Sequence, residues 1–437
     1  MPKTTPLESW IARKIGVSDG ELTRESIAEY QLRKLRETLD WARSHSPFYS
    51  RRLRKVSEGT PGSFAAFERV PFTNATDLQE HGLQFLCVSQ GDIDRVVTLE
   101  SSGTSGVPKR VFLTTADHES TIDFFRVGMS QLLKNGQSVL IALPFERPGS
   151  VGELLATTVR QLGVRPILCG RITEPGQAIE MMKREQVECV IGVPVEILSL
   201  VRTGGRDVPS RFLNNVLLCS DHVSDSIVRA IRKKWGCEVF EHYGMTEMGL
   251  GGGVDCEAHA GYHLREADLY FEIVDPESGL LCQPGAIGEV VVTTLTRQGM
   301  PFIRYRTGDL SRFLPDRCAC GTVLRRMDRV CARKSGRVAV GAHTEITIAT
   351  LDEALFCLPE VEDFSASIDS GRPSKLIVTV YGSGAKEDLQ EQARAVLERV
   401  PEIDVAEKTG ELHVIVNAVE RRASTFTGKR RIEQRVA

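Results

Sequence analysis

The sequence carries little net charge and has no long apolar run. Its 55 lysine and arginine residues face 58 acidic residues, which leaves a formal net charge of -3 at pH 7. That balance argues against a general electrostatic grip on nucleic acid. No apolar run reaches membrane-spanning length, and the opening segment MPKTTPLESWIARK lacks the apolar core of a signal peptide. We therefore expect a cytoplasmic protein with neither a nucleic-acid nor a membrane partner.

Two common nucleotide-binding motifs are also missing. The polar stretch TLESSGTSGVPKR (Thr98–Arg110) has Val107 and Pro108 where a P-loop has Gly-Lys. The glycine-rich run GLGGGV has Val254 where the third glycine of a dinucleotide fingerprint belongs. The spacing therefore supports neither a P-loop NTPase nor a dinucleotide-binding dehydrogenase.

The order of apolar runs and helical stretches predicts the fold class. With 437 residues, the chain has room for two or three domains. Residues 22–46 are predicted to form one amphipathic helix, and short apolar runs then alternate with helices, which is typical of a parallel, helix-covered sheet. These runs begin at Ser138, Pro166, Glu188, Asn215 and Cys237. Strand and hairpin signals follow Gly261, and a small α+β pattern follows Arg333.

We therefore predict an α/β fold in two parts. A large N-terminal domain, residues 1–332, would hold helix-covered, mostly parallel sheets plus a β-rich subdomain. A small C-terminal α+β domain would span residues 333–437.

Four polar segments are candidates for a ligand site. They are the stretch ending at Lys109, HYGMTE (His242–Glu247), YRTGD (Tyr305–Asp309) and the late Gly428–Lys429 pair. Glycines let backbone N–H groups approach phosphates, while hydroxyls and lysine offset negative charge. An aromatic ring can stack on a base, and a carboxylate can hold Mg²⁺. Each segment alone is more typical of a turn, a hairpin or a basic tail than of a ligand site.

Together, and in this order, the segments resemble the adenylate-forming superfamily of acyl-CoA synthetases, adenylation domains and luciferases. The match is closest to its phenylacetate-CoA ligase-like branch. The quoted pieces SSGTSGVPK, HYGMTE, FIRYRTGDL and GKRR carry the resemblance, and YQLRKLRETLDWARSHSPFYSRRL resembles the N-terminal helix of that branch. The resemblance covers nearly the whole chain and thins after Arg333.

The resemblance implies a phosphate-gripping loop and a nucleoside site. The loop would hold the β- and γ-phosphates of ATP through Ser101, Ser102, Gly103, Thr104, Ser105, Gly106 and Lys109. Tyr243, next to Gly244, would stack on adenine, and Ser220 and Asp221 would line the adenine edge, where the family more often has Ala-Glu. Asp309 would bind ribose with help from Arg333.

The resemblance also implies the catalytic groups and the reaction. Thr246 would bind the α-phosphate, Glu247 would ligate Mg²⁺, and Lys429 would be carried into the site by the C-terminal α+β lid domain. A small-molecule carboxylate, aryl or acyl, would attack ATP to give an acyl-adenylate. Coenzyme A would then take the acyl group, yielding thioester, AMP and pyrophosphate. A homodimer is left open.

The hinge departs from the family pattern. In ARKSGRVAVGAHTE (Ala332–Glu345), Ser335 and Gly336 replace an acidic pair, and a later Arg-Gly that contacts coenzyme A is missing. This weakens the thiol half of the reaction more than the adenylation half. Two alternatives therefore stay open: an adenylyltransferase that leaves AMP on an acceptor, as the related coenzyme F390 synthetases do, and a non-catalytic nucleotide-binding descendant.

The cysteines indicate a metal site. Eleven cysteines without a secretion signal predict reduced thiols or metal ligands rather than disulfides. Cys256, His263, Cys318 and Cys320 suit a tetrahedral Cys₃His zinc site, and the ligase branch often carries one at these places. His259 competes with His263 for the histidine position. With four protein ligands, the zinc would be structural. Cys219 and Cys331 are expected in the core.

Overall fold

The architecture is known from a computed structural model that describes residues 2–18, 20–54, 61–99, 108–204, 212–420 and 430–435. The chain forms two compact units, each assembled from three separate segments. The first unit comprises Met1–Lys134, Arg147–Leu162 and His242–Val330. The second comprises Asn135–Glu146, Gly163–Glu241 and Cys331–Ala437.

The regular elements are numbered in chain order. The helices are α1 Pro6–Ile15, α2 Arg24–His45, α3 Pro47–Arg52, α4 Phe64–Phe67, α5 Ala75–His81, α6 Thr115–Met129, α7 Val151–Gln161, α8 Pro175–Arg184, α9 Pro194–Thr203, α10 Asp225–Trp235, α11 Ile348–Leu355, α12 Lys386–Leu397 and α13 Pro401–Lys408. The strands are β1 Arg95–Leu99, β2 Lys109–Leu113, β3 Ser138–Ala142, β4 Arg165–Leu168, β5 Cys189–Gly192, β6 Asn215–Leu218, β7 Glu238–Tyr243, β8 Gly253–Val254, β9 Tyr262–Leu264, β10 Leu269–Val274, β11 Gly288–Thr294, β12 Tyr305–Ser311, β13 Arg326–Met327, β14 Ala332–Arg333, β15 Val338–Ala339, β16 Glu345–Ile346, β17 Val361–Asp369, β18 Ser374–Gly382, β19 Leu412–Glu420 and β20 Ile432–Arg435.

The second unit is built on a parallel sheet with the strand order β7-β6-β5-β3-β4. Strands β3 and β5 are buried along their whole length, which is why they read as continuous apolar runs in the sequence. Helix α10 begins at the cap Ser224 and ends at Gly236 in the left-handed conformation. The sequence-predicted parallel, helix-covered sheet is confirmed.

Residues 331–437 contribute a second sheet to the same unit, with the order β19-β18-β17-β20. Phe356 and Phe364 belong to one apolar cluster with Ile197 of α9 and Leu218 of β6. Arg202 of α9 donates to the carbonyl oxygen of Phe356 at 2.8 Å. The α+β character of this region is as predicted, while the domain boundary at residue 333 stays a prediction.

The first unit combines N-terminal helices with antiparallel strands. Helix α2 begins with a capping box at Thr23 and buries Ile27, Leu35, Leu39 and Ala42, close to the predicted bounds of 22–46. Strands β10, β11 and β12 form an antiparallel sheet, and β1 pairs with β2 in a separate hairpin. The predicted β-rich part is therefore present.

The unit boundary falls inside β7, between Glu241 and His242. Strand β7 ends at Tyr243, so the predicted site segment His242–Glu247 begins at the carboxyl end of a sheet strand, where ligands bind in such sheets. Within the described ranges, no helix combines the length and the apolar character that crossing a membrane requires.

Candidate active site

Three side chains from distant parts of the sequence meet in the first unit. Lys109 is the first residue of β2, Glu247 lies in the 3₁₀ turn Thr246–Met248, and Tyr305 is the first residue of β12. The Lys109 Nζ lies 2.8 Å from the Glu247 Oε1. The Tyr305 hydroxyl donates to the same oxygen at 3.0 Å. We call these three residues the carboxylate cluster.

Two glycines allow the turn that carries Glu247. A Cβ at Gly244 would overlap the backbone oxygen of Leu250, so this position accepts no side chain. Gly249 ends the turn in the left-handed conformation with φ of 71°. Thr246 opens the turn and is half-buried.

The charge on Lys109 decides the ionisation of Glu247. Burial of this carboxyl raises its pKa, since its side chain is only 2% exposed. The Lys109 ammonium and the hydrogen bonds from Lys109 and Tyr305 outweigh burial, so the net pKa lies below its ordinary value. Glu247 is therefore a buried anion at neutral pH.

A second polar contact lies beside the cluster. The Tyr243 hydroxyl donates to the Asp309 Oδ2 at 3.0 Å, and both residues are buried. The Tyr243 ring stacks on Tyr262, with ring centroids 6.0 Å apart and an interplanar angle of 28°. The structure thus brings together the predicted residues of the HYGMTE and YRTGD segments.

Several predicted residues lie outside the described residues. They are Ser101, Ser102, Gly103, Thr104, Ser105, Gly106 and Lys429. Arg430, which follows Lys429, packs between the rings of Phe356 and Phe364, with its guanidinium carbon 5.0 and 4.3 Å from their centroids. It also forms an ion pair with Asp352. Arg430 is therefore anchored within the second unit.

Three predicted residues belong to the second unit. Ser220 and Asp221 follow β6, and the Asp221 Oδ1 accepts from the backbone N–H of His222 at 2.9 Å. Ser220 has a φ of 74°, an uncommon value for a residue other than glycine. Arg333 is half-buried on β14.

The predicted zinc ligands form a buried cluster in the first unit. The ligand atoms of Cys256, His263, Cys318 and Cys320 all lie within 4.8 Å of one another. The Cys256 and Cys318 sulfurs are 3.7 Å apart, and the His263 Nε2 lies 3.4 and 3.5 Å from the sulfurs of Cys256 and Cys320. A tetrahedral zinc ion separates two sulfurs by about 3.8 Å, and a sulfur from a nitrogen by about 3.6 Å. The donor set and its spacing therefore fit zinc.

The geometry distinguishes between the two histidines. The His259 Nδ1 lies 2.7 Å from the Asp255 Oδ2, whereas His263 faces the sulfurs. Burial lowers the pKa of His263 to about 4, which leaves its imidazole in the neutral, metal-binding form. The cysteines form no disulfide, and Cys219 is buried as expected. The prediction for Cys331 is wrong, because its side chain is exposed between two short strands.

Sequence reasoning missed the roles of two residues near Glu247. Tyr305 belongs to the quoted YRTGD segment, but only the fold shows that its hydroxyl contacts Glu247. Arg297 donates to the Glu247 backbone oxygen at 3.0 Å. Position in a motif offered a signal for Tyr305, while no sequence pattern singled out Arg297.

Comparisons with known proteins agree with this arrangement. The family model for AMP-binding enzymes matches residues 90–296. The phenylacetate-coenzyme A ligase of Thermus thermophilus is 26% identical over 349 residues, which cover 78% of this chain and 77% of that protein. The phenylacetate-coenzyme A ligase of Escherichia coli is 26% identical over 330 residues, 72% of this chain and 73% of that protein.

A solved structure shares the fold. The crystal structure of 2-hydroxyisobutyryl-CoA ligase in the postadenylation state matches with a TM-score of 0.77 and 20% identity, over 95% of this chain and 91% of that one. The family model and the ligase relatives confirm the sequence-based recognition of a phenylacetate-CoA ligase-like, adenylate-forming enzyme and of an AMP-forming ligase. The solved structure shows the shared fold.

Proposed function

We propose that this phenylacetate-CoA ligase-like, adenylate-forming enzyme uses ATP to activate an aryl or acyl carboxylic acid as its acyl-adenylate, and then transfers the acyl group to coenzyme A. The observation that carries the proposal is the carboxylate cluster with the neighbouring Tyr243–Asp309 contact. Lysine, carboxylate and ribose-binding aspartate are the groups that the reaction needs, and three separated segments supply them.

Glu247 suits the part of a Mg²⁺ ligand. It is a buried carboxylate that remains ionised because of Lys109, and hard cations such as Mg²⁺ prefer oxygen ligands of this kind. Mg²⁺ is usually bound by one or two carboxylates together with substrate phosphates, so one such residue is sufficient. When bound, the ion would offset charge on the phosphates of ATP. Lys109 and Tyr305 would keep the carboxylate oriented and anionic.

The remaining predicted residues would hold the nucleotide. Asp309 would accept from the ribose hydroxyls, oriented by its bond to Tyr243. Tyr243 would contact adenine, with Gly244 beside it. Thr246 would donate to the α-phosphate, because it opens the turn that carries Glu247. The roles of Ser220, Asp221, Arg333 and the loop containing Ser101–Gly106 stay predictions from the family resemblance.

We also propose a structural zinc ion at Cys256, His263, Cys318 and Cys320. The interatomic distances match a tetrahedron, and four protein ligands leave no position for a substrate. The cluster lies where the N-terminus is attached, since the Thr4 hydroxyl donates to the backbone oxygen of Cys320 at 3.0 Å. The ion would stabilise this part of the first unit.

One experiment tests the activity and separates it from both alternatives. The protein is incubated with ATP, Mg²⁺, coenzyme A and a panel of aryl and acyl carboxylates, and pyrophosphate, AMP and thioester are measured separately. Equal amounts of all three with one acid support the proposal. Pyrophosphate without free AMP would instead indicate an adenylyltransferase, and the absence of all products would indicate a nucleotide-binding protein.

Lys109→Met is expected to move the acid limb of the pH profile upward. In the native protein the pKa of Glu247 is lowered. Its ionised form therefore stabilises the fold at pH values above the pKa of the unfolded state. This stabilisation is lost as the pH falls through the pKa of the folded state. Without Lys109, burial dominates and the pKa rises. We expect the acid limb of pyrophosphate release at limiting Mg²⁺ to shift to higher pH.

Lys109→Arg is the matched control for this shift. Both variants lose the lysine ammonium, but arginine keeps a positive charge beside Glu247. The acid limb should therefore stay in place in the arginine variant even if the maximal rate falls. An unchanged limb in Lys109→Met would show that Lys109 does not set the ionisation of Glu247.

Lys429→Ala is expected to separate the two half-reactions. An ammonium between the carboxylate nucleophile and the α-phosphate offsets charge that builds in the transition state, and losing such a group typically costs about 10²–10³ in rate. Acyl-adenylate formation should fall by that factor, while a supplied acyl-adenylate should still be converted to thioester. Lys408→Ala, on an exposed face of α13, is the control. Equal loss of both half-reactions would contradict a first-step role.

A further inference from the structure

Arg297 connects the Mg²⁺-ligand candidate to a helix that takes no part in the proposed chemistry. The residue follows β11, and only 9% of it is exposed. Its Nη1 donates to the backbone oxygen of Glu247 at 3.0 Å, and its Nε lies 3.3 Å from the Asp117 Oδ1. One guanidinium thus bridges the turn that carries Glu247 and helix α6.

Asp117 is itself fixed by the start of α6. Its Oδ2 accepts from the backbone N–H of Thr114 at 2.9 Å and from the Thr114 hydroxyl at 3.0 Å, which completes a capping box. One turn later, the Thr121 hydroxyl donates to the backbone oxygen of Gly249 at 3.1 Å. Helix α6 therefore holds the turn at two points, Glu247 through Arg297 and Gly249 directly.

The turn fits closely against these groups. A Cβ at Gly249 would lie 3.3 Å from both the Arg297 Nη2 and the Thr121 Oγ1, so this position leaves little room for a side chain. Met248 and Gly249 of the turn line a cavity of about 200 Å³ together with Arg297 and Arg265. The Arg297 guanidinium therefore contacts the turn on one side and lines a space large enough to hold water on the other.

A buried ion pair contributes little net stability, because desolvation offsets most of the attraction. The Arg297–Asp117 pair is therefore poorly explained by stability alone. Its geometry serves another purpose, since only the planar fork of arginine reaches an aspartate and a peptide oxygen together. Residues that orient a metal ligand from behind typically change metal affinity or activity by about 10–100-fold when they are replaced.

We infer that Arg297 is a positioning residue that holds the Glu247 backbone, and with it the carboxylate, in the orientation needed for Mg²⁺–ATP. Because Glu247 is a Mg²⁺ ligand only under the proposed function, the inference rests on that function. Arg297 bonds the Glu247 peptide oxygen rather than the carboxylate, so it acts on the carboxylate through the backbone.

Arg297→Lys tests the inference with Arg265→Lys as the matched control. Lysine keeps the positive charge but cannot form the forked contact. Arg265 lines the same cavity and pairs with Asp268, but its side chain bonds Asp268 and Ser120 rather than Glu247. We expect the Mg²⁺ concentration for half-maximal pyrophosphate release to rise about 10-fold or more in Arg297→Lys and to stay within about twofold in Arg265→Lys.

Asp117→Asn keeps the experiment informative if Arg297→Lys does not fold. Asparagine retains the oxygen for the helix cap and removes the charge that orients Arg297, so a smaller rise in the Mg²⁺ requirement is expected. A normal Mg²⁺ requirement in a folded Arg297→Lys, or in Asp117→Asn where only that variant folds, would overturn the inference. An equal rise in Arg265→Lys would also overturn it, because the effect would then belong to the cavity as a whole.

Glu247→Gln separates this inference from the proposed function. If Glu247→Gln alters the Mg²⁺ requirement and folded Arg297→Lys does not, only the positioning role fails. If Glu247→Gln leaves the requirement unchanged, the Mg²⁺ assignment fails and takes the positioning role with it.

Discussion

Glu247→Gln is expected to lower pyrophosphate release by about 10²–10³ while the protein remains folded. Glutamine is nearly isosteric and can still accept the bond from the Tyr305 hydroxyl. What it lacks is the charge that opposes a divalent cation. The loss should be partly offset by raising Mg²⁺, which a general folding defect would not show. Pyrophosphate release is measured across a Mg²⁺ series, with thermal unfolding to verify the fold.

Glu266→Gln is the matched control. Glu266 is also a buried carboxylate of the first unit, but it pairs with Arg24, at 2.6 Å between the Glu266 Oε2 and the Arg24 Nη1. Its replacement should lower stability and leave the Mg²⁺ requirement unchanged. Wild-type pyrophosphate release by Glu247→Gln at limiting Mg²⁺ would remove Glu247 from the ligand set.

Loss of zinc is expected in Cys318→Ser and in Cys320→Ser, together with a lower midpoint of thermal unfolding. We expect about one zinc ion per chain in the native protein. The free energy of zinc binding at a closed structural site also contributes to the free energy of folding. Losing one thiolate should therefore lower both the zinc affinity and the stability of the fold. Metal content is measured by elemental analysis, and a strong chelator should lower the native midpoint toward that of the variants.

Cys87→Ser provides the comparison for the zinc variants. Cys87 is a buried cysteine of the first unit that packs in the apolar core, away from the ligand set. Its replacement should reduce stability and leave the zinc content unchanged. The zinc assignment would be wrong if native protein grown with added zinc contained none and a chelator did not change its unfolding midpoint. The four side chains would then be reduced, buried neighbours that bind no metal.

Local patterns were sufficient for the elements, while the candidate site residues came from the family resemblance of the motifs taken in order. The continuous apolar runs of β3 and β5 predict buried strands because both faces of a parallel sheet are covered. The order of HYGMTE and YRTGD likewise predicted that Tyr243 and Asp309 would act together, and their side chains are hydrogen-bonded.

Contacts between distant segments were not predictable in the same way. Arg297, which follows β11, contacts both Asp117 of α6 and the Glu247 backbone, and no periodicity or spacing in the sequence predicts these contacts. The hydrogen bond from the Tyr305 hydroxyl to Glu247 likewise depends on contact between segments that are distant in the sequence. Residues 331–437 belong to the same unit as the parallel sheet because they share the apolar cluster that contains Phe356 and Phe364. Changes of pattern along the sequence do not reveal such a shared cluster.

The interleaved segments of the two units have a consequence for synthesis on the ribosome. Residues 1–134 share a compact unit and an apolar cluster with residues 242–330, so part of their apolar surface stays uncovered until nearly two hundred further residues have emerged. At about 5–20 residues per second, this wait is on the order of 10 s or longer. The second unit, which contains the parallel sheet, likewise stays incomplete until residues 331–437 have been made. Neither unit can be completed from one end of the chain, so newly made protein should depend on chaperones that hold exposed apolar surface.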